Sequence, residues 1–221
     1  MSKTKAHTRY RLRPTNDWPK GEIVPGVTTI LDGQLGWNKR ILMAWARREA
    51  LAGKDPDLIA QDAADSGTCT HYHIECHIKA KEMDLKDFTQ DQISKAETGF
   101  LGFLEWEKDN KLEYVHVEHP VVSERWRYGG TVDMVARKNG KLWMLDLKTS
   151  KGIYAEYKVQ LAAYYMAYNE QEESPIDECH LLQLSKEDGS FQHHQISNQQ
   201  IIDGWEVFKH CRYLYDLKKR F

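Results

Sequence analysis

Asp133, Asp146 and Lys148 are the residues of this 221-residue chain whose types and spacing best suit chemistry. They lie in Gly129 to Thr149, GGTVDMVARKNGKLWMLDLKT, where two runs rich in apolar and β-branched residues flank Asn139-Gly140. That dipeptide is the strongest short signal for a two-residue hairpin turn. With such a turn Lys138 faces Lys141 and every facing pair of residue numbers sums to 279, so Asp133 stands opposite Asp146 and Thr131 opposite Lys148. Alternation along a strand then puts Asp133, Asp146 and Lys148 on one face. Val132, Met134, Trp143, Leu145 and Leu147 take the other, which reads as core. Two carboxylates facing each other at about 5 Å repel and destabilise the pair, a cost that a bound cation would offset. Carboxylates that hold one or two Mg²⁺ or Mn²⁺ ions, beside a lysine that neutralises developing charge, suit metal-assisted hydrolysis of a phosphodiester. The Leu147 side chain points to the core, yet its backbone carbonyl can still reach such an ion. A D-L-K tripeptide alone is ordinary at a strand end. The facing Asp133 sets this one apart.

The elements that must position these residues can be taken in chain order. Residues 1–20 are polar and carry Pro14 and Pro19, which predicts a flexible lead-in. Its basic start, MSKTKAHTRYRLR, reads as a solvated tail or as an arm that touches nucleic acid. Gly21 to Leu31 is a short extended segment leading to a helix. Trp37 to Ala52 is helical, with Ile41, Leu42, Trp45 and Ala46 as its apolar stripe, and Gly53 stops it. A second helix begins after Pro56 and runs past Ala64, with Ser66-Gly67 as a point where it breaks or bends. Beyond it His71, Ile74, Glu75 and Ile78 share one helical face. His73 and His77 share another. They have the spacing of two zinc ligands, but with no third ligand or general-base glutamate they read as a solvated or phosphate-contacting face. Residues 91–110 form an amphipathic helix with Phe100, Phe103, Leu104 and Trp106 on its apolar side, and Tyr114 to Ser123 a strand before the hairpin. Ala155 to Tyr168 is a helix that puts Gln160 and Tyr164 on one face. Cys179 to Leu184 and Phe191 to Ile196 are strands. Ser197 with Gln200 is a capping box for a last helix over 198–219. The order predicts one α/β domain spanning 1–221, mainly helical over 21–110 and sheet-containing over 111–221. The strand–helix–strand step after Lys148 gives one parallel neighbour.

The bulk numbers bound the function. The net charge of −2, with ten histidines uncounted, excludes a strongly basic nucleic-acid coat but not an enzyme with a local basic lining. No apolar run nears the roughly 18 residues of a membrane span. The basic start is followed by no apolar segment, so a secretory signal is not expected. Cys69, Cys76, Cys179 and Cys211 are far apart with no C-x-x-C pair, which reads as free thiols in a reducing compartment.

GGTVD, WMLDLKTSK and QLAAYY together resemble the core of the PD-(D/E)XK nuclease superfamily. Gly67-Thr68-Cys69-Thr70-His71 and Gln160-Leu161-Ala162-Ala163-Tyr164 add the G-x-x-x-H and Q-x-x-x-Y pairs of its RecB-like exonuclease branch. The upstream VPGVTTIL…WA pattern is similar to phage and mitochondrial exonucleases of that branch. The matching pieces run in family order from about residue 66 to 165. The resemblance implies a restriction-endonuclease-like core, a mixed central β-sheet flanked by helices, with a helical N-terminal extension. It implies a Mg²⁺- or Mn²⁺-dependent DNA exonuclease acting on ends or single strands in recombination, repair or phage DNA processing. His71, Asp133, Asp146 and the Leu147 carbonyl would be metal ligands and Lys148 the catalytic lysine. Gln160 and Tyr164 would orient the site or contact the DNA backbone. Glu118 is either a further acidic ligand or an exposed strand carboxylate. Arg125, Arg127, Lys151 and Lys158 flank the site in sequence and are candidates for phosphate contacts. Trp126 and Tyr128 would stack on bases or simply pack. Some relatives hold an iron–sulfur cluster through one early and three clustered late cysteines, an arrangement lacking here, so no cluster is expected. The expected partner is DNA, with a recombination or single-strand-binding protein as a candidate and no membrane. The expected setting is the cytoplasm of a bacterial or phage-infected cell, without secretion. A structure-selective endonuclease with the same centre and a catalytically silent DNA-binding subunit are the alternatives; the six intact residues disfavour the second.

Overall fold

The computed structural model describes residues 9–221. A small ribbon of β1 (Tyr10–Arg11) and β2 (Ile23–Val24) leads into α1 (Val27–Gln34), α2 (Lys39–Leu51), α3 (Pro56–Ile78) and α4 (Gln90–Asn110). Then come β3 (Glu113–Ser123), β4 (Tyr128–Lys138), β5 (Lys141–Lys148), α5 (Ala155–Gln171), β6 (Glu178–Leu184), β7 (Phe191–Ile196) and α6 (Asn198–Leu217). The helix starts are written locally. Asp55 accepts from the Asp57 and Leu58 N–H groups ahead of Pro56 at the first turn of α3. Thr89 with Gln92 and Ser197 with Gln200 close reciprocal capping boxes on α4 and α6.

The five large strands lie in the order β3-β4-β5-β6-β7. β3, β4 and β5 form an antiparallel meander, β6 runs parallel to β5 through the α5 crossover, and β7 returns antiparallel. One face of the sheet packs α1, α5 and α6 around Val135, Met144, Leu161, Leu181 and Phe208. The other packs α3 and α4 around Ile74, Phe103, Leu145, Leu147 and Leu182. This is the mixed, helix-flanked sheet expected from the sequence. Among the described residues no helix is long and apolar enough to cross a membrane.

The hairpin register is the expected one from Lys138 opposite Lys141 to Met134 opposite Leu145, but the pairing ends there, so the expected facing pairs Asp133–Asp146 and Thr131–Lys148 are not formed. Asn139 and Gly140 both have positive φ, 50° and 77°, as a two-residue type I′ turn requires. Other expectations give way. Tyr10–Arg11, inside the stretch read as a flexible lead-in, is a strand paired with β2; the start of the basic arm, residues 1–8, lies outside the described residues. Ser66-Gly67 does not break α3, which runs unbroken for 23 residues. The apolar stripe of α2 is not core: the helix buries no residue, and Ile41 and Leu42 are 68% and 58% exposed. The His73/His77 pair divides: His73 is buried against the Cys69 carbonyl and the Phe100 ring of α4, whereas His77 is exposed as expected and meets Glu107 Oε2 at 2.7 Å. Val132 packs with Val121 and Val135 rather than with Met134 and Leu145. Strict alternation does not hold there: the pairing with β5 ends at Met134, and on the other side the left-handed Glu118 stands opposite Asp133.

Candidate active site

Asp133 stands on β4 one step beyond the last paired residues of the hairpin, Met134 and Leu145. Its carboxylate takes over the bonding there, with Oδ2 accepting the Leu147 N–H at 2.7 Å. Oδ1 lies 3.5 Å from Nδ1 of His71, which α3 supplies. Gly67 explains how α3 comes this close: a Cβ at that position would stand 2.8 Å from Thr149 Oγ1 at the end of β5. One helical turn on, His71 is therefore carried over Asp133. The third member is Glu118 of β3, opposite Asp133, between the paired Val117–Met134 and His119–Val132. One ligand atom from each of His71, Glu118 and Asp133 lies within 4.8 Å of the other two.

A second line of contacts runs beside this trio. Lys148 Nζ lies 2.6 Å from Asp146 Oδ2 and donates to Gln160 Oε1 at 2.8 Å. Gln160 Nε2 in turn donates to the Tyr164 hydroxyl at 2.9 Å. The ammonium also sits 4.7 Å from the centre of the Tyr157 ring. Gly129 and Gly130 make room for two tyrosines: a Cβ on Gly130 would be 2.3 Å from Tyr164 Cε1, and one on Gly129 2.3 Å from the Tyr10 ring. Tyr10 completes that wall by sharing a hydrogen bond with Thr131 Oγ1 at 3.0 Å.

The charges are unequal in their comfort. Burial works against ionisation of Asp133, but His71, Lys148 and the Leu147 N–H outweigh it and hold the carboxyl below its ordinary range. Burial pushes Asp146 up, to about 6, and the Asp133 carboxylate adds to the shift while Lys148 opposes it. The repulsion expected between the two aspartates thus falls on Asp146. Burial pulls the Lys148 ammonium down, but the two carboxylates more than restore it, so the lysine stays charged. His71 behaves alike, with Asp133 overcoming its burial and raising it. Burial, with both aspartates, lifts the Tyr164 phenol well above its usual value, so its O–H remains a donor.

A cleft of about 1070 Å³ opens over these groups and is lined by His71, Glu118, Asp133, Leu147, Lys148 and Gln160. Asp146 lies under Lys148, 2% exposed. The four flanking basic residues do not line it. Arg127 pairs with Glu22, Lys151 lies 3.2 Å from Glu187, Arg125 sits over the Trp126 ring, and Lys158 is on α5 away from the cleft lining. Trp126 and Tyr128 pack against Trp205, and the Tyr128 hydroxyl donates to the Ala163 carbonyl. The cleft's other charged residues and tyrosines are Asp32, Lys39, Tyr154, Glu156, Tyr157 and Lys186. Of these only Tyr157 had a signal in the sequence, three residues before Gln160 on the same helical face; the others come from segments without a motif.

Set against known proteins, residues 44–214 match the family model described as the PD-(D/E)XK nuclease superfamily. Among solved structures the chain is similar to the "putative exonuclease" of Eubacterium rectale, with a TM-score of 0.49 and 13% identity over 66% of this chain and 64% of that one. The match thus spans just under two thirds of that protein. It is also similar to the protein SSO0001, with a TM-score of 0.30 and 15% identity over 66% of this chain and 73% of that one. No curated protein matches the chain.

Proposed function

Since the chain belongs to the PD-(D/E)XK nuclease superfamily, we propose that it is a divalent-metal-dependent DNA exonuclease of the RecB-like branch, allied to the phage and mitochondrial type. It would act on DNA ends or single strands in recombination, repair or phage DNA processing. The observation that carries this reading is the convergence, in one cleft, of the His71, Glu118 and Asp133 ligand atoms with the Asp146–Lys148–Gln160–Tyr164 line. The donor set fits the ion: carboxylate oxygens with a single imidazole suit Mg²⁺ or Mn²⁺. His71, Glu118 and Asp133 would hold the metal, with Asp146 and the Leu147 carbonyl completing the shell. When bound, the ion supplies Lewis-acid polarisation of the scissile phosphate.

The chain's own groups account for the rest. Asp133 is kept ionised and fixed in orientation by His71 and the Leu147 N–H. Lys148 has three N–H donors; one bonds Gln160 while Asp146 sits at ion-pair distance, which leaves a donor for a phosphate oxygen or the attacking water. A charged lysine held this way stabilises the negative charge that grows as water adds to phosphorus and the ester P–O bond breaks. Gln160 and Tyr164 act by holding Lys148 in place. Exposed Ile41 and Leu42 of α2 line the cleft together with Tyr154 and Tyr157, and such apolar and aromatic surface suits unstacked bases better than an intact duplex.

The test compares a covalently closed circle with the same DNA linearised, in Mg²⁺. Degradation of the linear form with the circle spared supports an exonuclease. A circle cut as fast as the linear form would replace that reading by an endonuclease with the same centre.

A further inference from the structure

His116 and His119 are three residues apart on β3, and a regular strand would send them to opposite faces. Instead their rings stack, with centroids 4.0 Å apart and planes 23° from parallel. Glu118, at φ 54°, is the residue that turns the strand between them. A side chain seldom holds that left-handed conformation unless its surroundings fix it. The turn sends the Glu118 carboxylate towards His71 and Asp133 and brings both imidazoles together beside the end of α5.

There Glu172 completes a converging set. Its Oε1 lies 3.3 Å from His119 Nε2. The position of Glu172 is fixed by its neighbours. Its own N–H caps α5 on the Tyr168 carbonyl at 2.8 Å. Gln171 accepts the Val122 N–H at 3.1 Å, and Glu170 accepts from the Ser123 hydroxyl at 2.6 Å and the Arg125 N–H at 3.0 Å. The last turn of α5 is thus clamped along the edge strand of the sheet. One ligand atom from each of His116, His119 and Glu172 lies within 4.8 Å of the other two, and all three residues are half-buried.

We propose that His116, His119 and Glu172 form a second metal site, for a borderline transition ion such as Zn²⁺, independent of the cleft. Two imidazoles and one carboxylate are a donor set for Zn²⁺, Co²⁺ or Ni²⁺, whereas Mg²⁺ prefers oxygen alone. Tetrahedral zinc with bonds of about 2.0–2.1 Å sets its ligand atoms about 3.4 Å apart, which side-chain rotation reaches from the spacing present. Water takes the fourth position. The ion fastens the C-terminus of α5 to β3 across the turn that presents Glu118, so it braces the cleft without entering it.

The full chain, in excess Mg²⁺, is titrated with Co²⁺ while the visible absorption of tetrahedral cobalt is followed, and then with Zn²⁺ as competitor. The expected result is one equivalent of Co²⁺, displaced by Zn²⁺. That binding persists in His71→Ala and weakens at least about tenfold in His119→Asn and in Glu172→Gln. Should those variants not fold, imidazole NMR of the unaltered chain gives the same answer, with Zn²⁺ shifting His116 and His119 and not His71. No cobalt bound, binding unchanged in a folded His119→Asn, or zinc shifts confined to His71 would each overturn the proposal. None of these results depends on DNA cleavage, so the site stands or falls apart from the proposed nuclease chemistry.

Discussion

Lys148 of β5 reaches across to Gln160 of α5, Nζ to Oε1 at 2.8 Å, and this bond joins the strand that carries Asp146 to the helix that covers it. Asp146 holds the same ammonium from below at 2.6 Å. The lysine is therefore positioned from two elements that meet only in the folded chain.

Gln160 touches no other charged group in that line, so its loss should be felt through Lys148. Gln160→Ala is expected to lower kcat for DNA hydrolysis by about 10- to 100-fold, with KM and melting temperature little changed. A fall confined to KM would make Gln160 a substrate contact rather than a positioning residue.

Asp146 should carry a measurable stability penalty. The folded chain keeps its proton up to about pH 6, against 3.8 for an ordinary aspartate. Between those values the folded state binds more protons than the unfolded one, so metal-free stability falls as pH rises through that window. Asp146→Asn is thus expected to raise the melting temperature of the metal-free protein at pH 7, by roughly 2–4 °C for each kcal/mol of strain relieved. Below about pH 4 it should leave that temperature nearly unchanged. Asp133→Asn loses the His71 contact and should not stabilise. Thermal melts in chelator at pH 4 and pH 7 check both variants.

Much of this site was legible in the sequence because it depends on short-range rules. Asn139-Gly140 set the register as far as Met134 and Leu145 and left Asp133 and Asp146 just beyond its end; helical spacing put Gln160 beside Tyr164. What was not legible depends on the backbone leaving regular geometry or on contacts distant in sequence. The left-handed turn at Glu118 has no propensity signal, and it alone brings His116 beside His119. Tyr10 seemed part of a polar lead-in, yet its ring occupies the space that Gly129 leaves open. The stripe of α2 has a buried helix's spacing but lies open at the cleft, since periodicity shows which side is apolar and not what covers it.

Gly67 supplies a test of how α3 is placed. Gly67→Ala should press a methyl against Thr149 and displace His71, lowering metal-dependent cleavage several-fold. Adding Thr149→Ala removes the obstructing hydroxyl and should restore activity, with a gain of about 0.5–1 kcal/mol from alanine in a helix interior. Persisting inactivity in the folded double variant would show that the close approach is not what Gly67 provides.

Acid should loosen the far edge of the sheet. Trp106 Nε1–H donates to His193 Nδ1 at 3.3 Å, which leaves the His193 Nε2 proton to donate to His180 Nδ1 at 2.9 Å. Burial, with His193 adding to it, pulls His180 down to about 4. The unfolded chain takes up that proton near 6.5 and the folded chain does not, so this contribution is present above pH 6.5 and is lost as pH falls towards 4. Denaturant titrations at pH 7 and pH 5 should show the loss, and His180→Phe should reduce the difference between them. An unchanged difference would place the acid sensitivity elsewhere.

The central claim, that Lys148 and the acidic groups around it hydrolyse DNA, is tested most directly by the Mg²⁺-dependent release of nucleotides from end-labelled linear DNA. The unaltered chain is compared with Lys148→Ala and Lys148→Gln, each checked for folding and DNA binding. The site predicts a loss of at least about 10²- to 10³-fold in both variants, with DNA binding nearly intact. A folded Lys148→Ala that degrades DNA at the parental rate would contradict it.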